Sequence, residues 1–487
     1  MPRSAPFASR FAFALAMLAA ITTLAPAFAE DVPDLRARTT GSDWPTFLGP
    51  ASDGKSTETD LLFTWPEGGP PVAWHRQVGE GYSTVSTSKG RLFVFDGHGK
   101  AGEGGEGLTH RLSCLNAETG EEIWHTEQSA TYEDYYGYST GPKTVPVVDG
   151  ERVFTFGIEG TLRAQRVTDG EILWQVDTER EFGVVKNFFG VGSTPVVEGD
   201  LLIVPIGGSP PESPKVHSGE VKGNGSGIVA FDKATGKVRW KFSDRLASYA
   251  TPVLGTIDGE RWGFAFTRGG LLGFDPKKGA ERFFFPWRAK KLESVNAATP
   301  VVVGDTVFIT ESYGPGGALV RVAPDSEEGH EVVWTDPPRG KAMESHWSTP
   351  VYHEGHLYGS SGQSRGNAVL RCLDHGTGKV RWEEPGLTRS TLLYADGHFI
   401  VLTEEGQLLA IEATPEALNV VSRIDLGDSD APGPKDPVTK ASSRPLIRHP
   451  AWNAPVLSHG YLYVRGRDQL IAFDLARPTK APESSSP

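Results

Sequence analysis

Ala230-Phe231-Asp232-Lys233-Ala234-Thr235-Gly236-Lys237-Val238-Arg239-Trp240 and Cys372-Leu373-Asp374-His375-Gly376-Thr377-Gly378-Lys379-Val380-Arg381-Trp382 are two copies of one pattern. Each is a short apolar strand, a turn at Gly, and a Trp four residues after that Gly. The segments Cys114 to Trp124 and Ala164 to Trp174 keep the spacing, Gly279 to Phe283 substitutes another aromatic, and Gly329 to Trp334 carries one additional residue. The copies recur at intervals of roughly fifty residues, and a period of that length belongs to solenoids, propellers or arrays.

A second element precedes each Trp motif. Thr194-Pro195-Val196-Val197-Glu198-Gly199-Asp200, Thr299 to Asp305 and Thr349 to Gly355 read as β-hairpins, with β-branched runs around a tight Gly turn. Weaker copies begin at Thr84, Thr144, Thr251, Thr391 and Ala454, which makes eight units in all. Hairpin plus Trp motif supplies four strands per unit, and radial repetition of four-stranded sheets is a β-propeller. The eighth unit stops after Ala472-Phe473-Asp474 and lacks a closing strand, while Pro71 to Arg76 is an unpartnered strand containing Trp74. The expected fold is therefore all-β, an eight-bladed propeller of four-stranded antiparallel blades, its ring closed by the N-terminal strand around Trp74.

Proline placement agrees. Pro146, Pro195, Pro252, Pro300, Pro350 and Pro455 open the first strand of six units, where a missing N–H is tolerated only at a strand end or edge. The repeated Trp74, Trp124, Trp174, Trp240, Trp334 and Trp382 are read as packing between neighbouring blades, because large aromatics contribute heavily to core burial.

Residues Arg3 to Ala29 combine a basic start, an apolar run from Phe11 to Leu24 and Ala27-Phe28-Ala29, the pattern of a signal peptide cleaved near Ala29. That divides the chain into a signal peptide at 1–29, an extension at 30–70, a propeller at 71–475 and a disordered tail at 476–487. No later stretch has the length and apolarity of a membrane span. The chain carries 61 acidic against 48 basic residues, and cleavage would remove two Arg and no acid. Such a balance disfavours nucleic acid as a partner. Cys114 and Cys372 occupy the same motif position in units one and six, too far apart around a ring for a disulfide. No Cys-x-x-Cys-His is present, which excludes covalent c-type haem.

These repeats resemble those of the pyrroloquinoline quinone (PQQ)-like propeller superfamily, over about residues 71 to 475. Asp43-Trp44-Pro45-Thr46-Phe47-Leu48-Gly49-Pro50-Ala51-Ser52-Asp53-Gly54 is similar to the segment that leads into secreted bacterial members. The resemblance implies either of two activities, since the superfamily holds quinoprotein dehydrogenases as well as non-catalytic scaffolds such as BamB-like assembly factors. Fold alone does not choose between them.

Turns between strands one and two, and three and four, are short and share one face of such a propeller. The opposite face carries the long segments Asp96 to His110, His125 to Gly141, Gly207 to Gly227 and Gly427 to Pro450, where binding is expected. Crossovers on that face bring Tyr82, Tyr138, Asn187, Tyr249, Asn296, His346, Trp347, Arg389, Trp452 and Asn453 to the channel mouth. His353 and His356 flank a tight turn and read as surface residues, and no metal site is expected. The leading reading is a monomeric, non-catalytic periplasmic or secreted scaffold that binds a protein of the cell envelope and needs no cofactor. The alternative is a PQQ- and calcium-dependent dehydrogenase of alcohols or sugars. It lacks the adjacent cysteine pair of the alcohol-dehydrogenase branch, and no acid stands among the crossover candidates.

Overall fold

The computed structural model describes residues 32–99, 107–132, 134, 136–214, 216, 220–292, 294–427 and 446–477. The stretch read as a signal peptide, the tip of the Gly-rich loop after Gly99, most of 427–450 and the residues beyond Arg477 lie outside the described residues. Eight four-stranded antiparallel sheets follow one another along the chain, the all-β propeller that the repeats predict. The second blade is typical, with strands Val147–Asp149, Arg152–Phe156, Thr161–Arg166 and Ile172–Asp177 running from the channel outward. Each of the six prolines immediately precedes an innermost strand, as at Pro195 before Val196–Glu198 and Pro455 before Val456–Ser458. In the eighth sheet the outermost strand is Val72–Gln77, paired with Gln469–Asp474 so that Trp74 lies opposite Ala472. Two of the long segments are shorter as loops than expected, because blade-one strands reach from Arg91 to His98 and from Glu122 to Ala130.

The Trp of the motif packs on an aromatic of its own blade, as Trp174 does on Phe154, and also reaches the next blade. Trp174, on the outer strand of blade two, covers Gly236 in the turn of blade three, and a Cβ there would come within 2.8 Å of its indole. The same relation joins Trp74 to Gly120, Trp124 to Gly170, Trp240 to Gly279 and Trp334 to Gly378. Each of these glycines also has a positive φ, from 66° to 77°, which L side chains adopt at a cost. The indole N–H then donates to a carbonyl of the next blade: Trp74 to Ala117, Trp124 to Val167, Trp174 to Lys233, Trp334 to His375 and Trp382 to Thr414, all at 2.9–3.1 Å.

A β-bulge precedes the aromatic position in every blade. Cys114 pairs with Trp124 but Leu115 pairs with Glu122, leaving Ile123 as the additional residue. Equivalent shifts occur beside Trp174, Trp240, Phe283, Trp334, Trp382, Ser422 and Trp74. A bulge bends a strand and re-aims a side chain, here toward the neighbouring blade.

Blade seven has Ser422 where the others have an aromatic, and the extension compensates. Trp65 donates its backbone N–H to Ser422 Oγ at 2.9 Å, Phe63 stacks on His398 at 4.0 Å, and Leu61, Phe63 and Trp65 join the buried cluster of blades seven, eight and one. Earlier residues of the extension cross the tight-turn face. Trp44 exchanges hydrogen bonds with Thr87 of blade one, Pro45 accepts from Val148 N–H of blade two, and Gly54 and Ser56 bond to Tyr394 of blade seven. Innermost strands have open edges, and this strap caps three of them. Cys114 and Cys372 are buried and free.

The Trp–Gly contact makes a quantitative prediction. Trp174→Ala should cost about 3–5 kcal/mol, and Gly236→Ala should cost at least about 1–2 kcal/mol from its backbone conformation alone. Because removing the indole relieves the clash with the new methyl, the double variant should lose about 1 kcal/mol or more less than the sum. Denaturant unfolding of the four proteins measures this, and strict additivity refutes the contact.

Candidate functional site

Threonines at the start of the innermost strands form a belt around the channel. Val145 N–H donates to Thr194 Oγ1, Thr194 N–H to Thr251, Thr251 N–H to Thr299 and Thr299 N–H to Thr349, at 3.0–3.3 Å, each bond crossing to the next blade. Thr391 and Thr84 donate to the carbonyls of Asn453 and Ala454. Above the belt the crossovers converge. Below it Phe47 and Leu48 of the strap close the channel, so the cavity of about 250 Å³ is a funnel with a floor.

Leu48 reaches this place through a left-handed backbone, φ 60°, in a turn tied by Gly54 N–H to Leu48 O at 2.9 Å. A branched apolar residue held in that region is strained. Gly49 follows at φ 83° with no room for a side chain, because a Cβ would stand 3.0 Å from the Trp44 ring. Trp44 is 2 % exposed and so fixes the turn from behind.

Eight of the ten predicted mouth residues line the funnel: Tyr82, Tyr138, Tyr249, His346, Trp347, Arg389, Trp452 and Asn453. Asn187 and Asn296 do not. Asn296 is fully buried and braces crossovers, donating through Nδ2 to Thr267 O at 2.7 Å and Trp287 O at 3.2 Å. Asn187 does the same for Ala247 O at 3.0 Å. A short polar side chain beside a strand end is as well suited to tying loops as to meeting a ligand, and position alone does not separate the two roles.

The funnel wall is a run of packed rings. Tyr82 lies 4.7 Å from Trp452, Trp452 lies 4.9 Å from Trp347, and Trp347 lies 5.1 Å from His346. Tyr138 contacts both Trp452 and Phe189, and Phe189 contacts Tyr249. The Arg389 guanidinium stands 4.3 Å from the Trp347 ring centre and 5.4 Å from that of Trp452, both within cation–π range. Behind it Glu404, fully buried, takes Arg389 Nε on both oxygens at 3.0 and 3.1 Å, Nη2 at 2.5 Å and the Trp452 indole N–H at 3.0 Å. Burial pushes the Glu404 carboxyl up, but the hydrogen bonds from Arg389 and Trp452 outweigh it and hold the group below the ordinary range.

His346 is neutral at physiological pH. Burial, and then the adjacent Arg389 charge, lower its pKa to about 4. Arg389 Nη1 faces Nδ1 at 3.4 Å and can only donate. The ring proton therefore sits on Nε2, 2.8 Å from the Tyr313 hydroxyl. Lys143 is the second cation of the wall. It donates to Ser139 O at 3.3 Å and faces the Tyr82 and Tyr132 rings at 5.9 and 5.7 Å, and burial brings its pKa down to about 8.

The sequence reading missed Lys143, Phe189, Tyr313 and Glu404; it named no acid among the crossover candidates, and Glu404 stands behind the wall without lining the funnel. It follows Thr403 at the end of a second strand, and Glu311 after Thr310 and Arg268 after Thr267 repeat the pattern. A charged residue closing a buried strand was the available signal.

The donors present do not fit a calcium ion, which takes six to eight oxygens, several from carboxylates. Among the described residues no Asp or Glu lines the funnel, both Glu404 oxygens are taken, and no cluster of three or more His, Cys, Asp or Glu is present. His353 belongs to no such cluster and stacks on Tyr394 at 4.2 Å.

Fold and funnel together define a PQQ-like β-propeller with a blind central pocket. The chain belongs to the family described as outer membrane protein assembly factor BamB, whose profile matches residues 65–210, 110–348 and 325–417. Similar solved structures include BamB from Moraxella catarrhalis, 14% identical over 84% of this chain and 100% of that one, with a TM-score of 0.51. Quinohemoprotein alcohol dehydrogenase from Comamonas testosteroni is 13% identical over 91% of this chain and 82% of that one, with a TM-score of 0.45. The likeness to the Moraxella catarrhalis protein shows the fold alone. No curated protein matches the chain.

Glu404→Gln should unpair Arg389 in a buried site, a loss of about 3–5 kcal/mol, and loosen the indole pair it organises. Near-ultraviolet circular dichroism and denaturant unfolding report both effects. An unchanged aromatic spectrum would sink this assignment.

Proposed function

We propose that this protein is a non-catalytic propeller of the bacterial cell envelope whose funnel captures an exposed segment of another protein. The carrying observation is that Arg389 and Glu404 are committed to each other. A ligand therefore meets aromatic faces and Lys143, with no free carboxylate among the described residues to act as a base or hold a metal. Ring faces with one cation that has no ion-pair partner among the described residues suit an apolar or aromatic side chain next to an acidic one. The size agrees: a cavity of about 150 Å³ accepts benzene, whereas drug-sized ligands use roughly 300–1,000 Å³. Family membership supports the same reading, as does the export signal read at residues 1–29, which directs the protein to the periplasm or beyond. The dehydrogenase alternative asks for a calcium site that these donors do not supply.

Short peptides carrying Trp beside Glu test the proposal, with the same peptides bearing Lys as the comparison and PQQ with and without Ca²⁺ as a further arm. Saturable binding of the acidic peptide is expected, weakened about tenfold or more by Trp452→Ala, the scale of an aromatic interface residue. Affinity should fall as pH rises through about 8, where Lys143 loses its proton, and Lys143→Gln should abolish that dependence. Calcium-dependent binding of PQQ with turnover of an alcohol would overturn the proposal.

A further inference from the structure

A second cleft opens over blade four, where three loop segments meet above the sheet beside Glu281 of the outermost strand. Ser243 to Leu246 come from the crossover into the blade, Arg268 and Gly269 from the turn between strands Glu260–Thr267 and Gly270–Asp275, and Arg288 from the crossover that leaves it. The cleft measures about 490 Å³.

Arg268 is 6 % exposed, so its guanidinium has lost most of its water. Its polar contacts among the described residues are modest. Nη2 donates to Leu292 O at 3.3 Å, and Nε is buried without a partner. The Phe188 ring lies 5.6 Å away. Arg288, which is exposed, donates to the same Leu292 oxygen at 3.2 Å. Two guanidiniums thus converge on one carbonyl, and among the described residues neither has a carboxylate within ion-pair distance. Burial, then the charge of Arg288, makes Arg268 give up its proton more readily, to a pKa of about 10.

The acids of the cleft are engaged elsewhere. Glu281 pairs with Arg245 at 3.0 Å, and Arg245 itself lies over the Phe284 ring. Asp244 accepts the Gly225 N–H through Oδ1 at 2.7 Å. Glu311 acts on Arg288 only at a distance. A buried charge without a partner is costly, and guanidinium forks match the geometry of carboxylate and phosphate oxygens.

We infer that this cleft is an anion site, in which Arg268 and Arg288 together hold one oxyanion, a carboxylate or a phosphate, arriving from the loop-rich face. The site is separate from the funnel and stands whether or not the funnel binds a peptide.

Calorimetric titration with inorganic phosphate and with succinate, at constant ionic strength in chloride, tests it. One equivalent of anion should bind saturably. Arg288→Gln, at an exposed position that leaves the fold intact, should weaken binding about tenfold or more, as expected for loss of a charge-assisted bidentate contact. Arg268→Gln should do the same if it folds. Arg245→Gln, whose charge Glu281 already meets, should change affinity by less than about twofold, the effect of a rim charge. Trp452→Ala should leave anion binding unchanged, which separates this site from the funnel. Tighter phosphate binding points to a phosphate ligand and tighter succinate binding to a carboxylate, and either supports the site. Absence of saturable binding for both anions into the millimolar range, or binding indifferent to Arg288→Gln, overturns it.

Discussion

The molecule depends on one contact made repeatedly: an indole from the rim of one blade lying flat on a glycine in the turn of the next. The contact needs a left-handed turn, which glycine adopts freely, and a surface with no Cβ, which only glycine offers. A bulge just before the Trp aims the ring at the neighbouring blade, and its N–H then finds a carbonyl there, as Trp124 finds Val167. Apolar area, shape and one hydrogen bond are thus placed at a single seam. Blade order and spacing follow, because each blade supplies the platform for the blade before it and the ring for the blade after.

Where this device lapses, another part of the chain takes over. Blade seven offers Ser422 in place of an aromatic, and the extension lays Phe63 and Trp65 along that edge before supplying Val72–Gln77 to the eighth sheet. The same extension runs beneath the channel and places Phe47 and Leu48 at its floor. One segment therefore repairs a seam, completes a sheet and turns an open channel into a funnel. The rings above the floor are held by an ion pair at their back: Glu404 fixes Arg389, and Arg389 fixes Trp347 and Trp452. A wall organised in this way keeps its charges to itself and shows ring faces to whatever enters. Lys143 is the funnel's cation without an ion-pair partner among the described residues, and the Arg268 and Arg288 pair stands apart over blade four.

Much of the funnel was legible because a propeller obeys a strict register. Once the Thr-Pro starts are aligned, the residues just before them must lie at the channel mouth, which is how Tyr82, Tyr249, Trp347 and Trp452 were found. The same logic also named Asn187 and Asn296, which turn away to tie loops, because register fixes where a backbone lies and leaves the side-chain direction open. Glu404 and Tyr313 were missed for a related reason. They sit in turns between second and third strands, and only the packing of neighbouring blades brings those turns against the crossovers.

The repeat alone determined the blade number, the strand count and the pairing of the Val72–Gln77 strand with the last blade, since each rests on local periodicity that hydrophobic alternation and Gly turns make explicit. Tertiary structure alone decided three other things: that a Trp serves the next blade's glycine rather than its own, that the Trp44 to Gly54 segment floors the funnel, and that Glu404 disarms Arg389. These are contacts between residues far apart in sequence, selected by shape and by the burial of charge. Neither leaves a periodic trace along the chain.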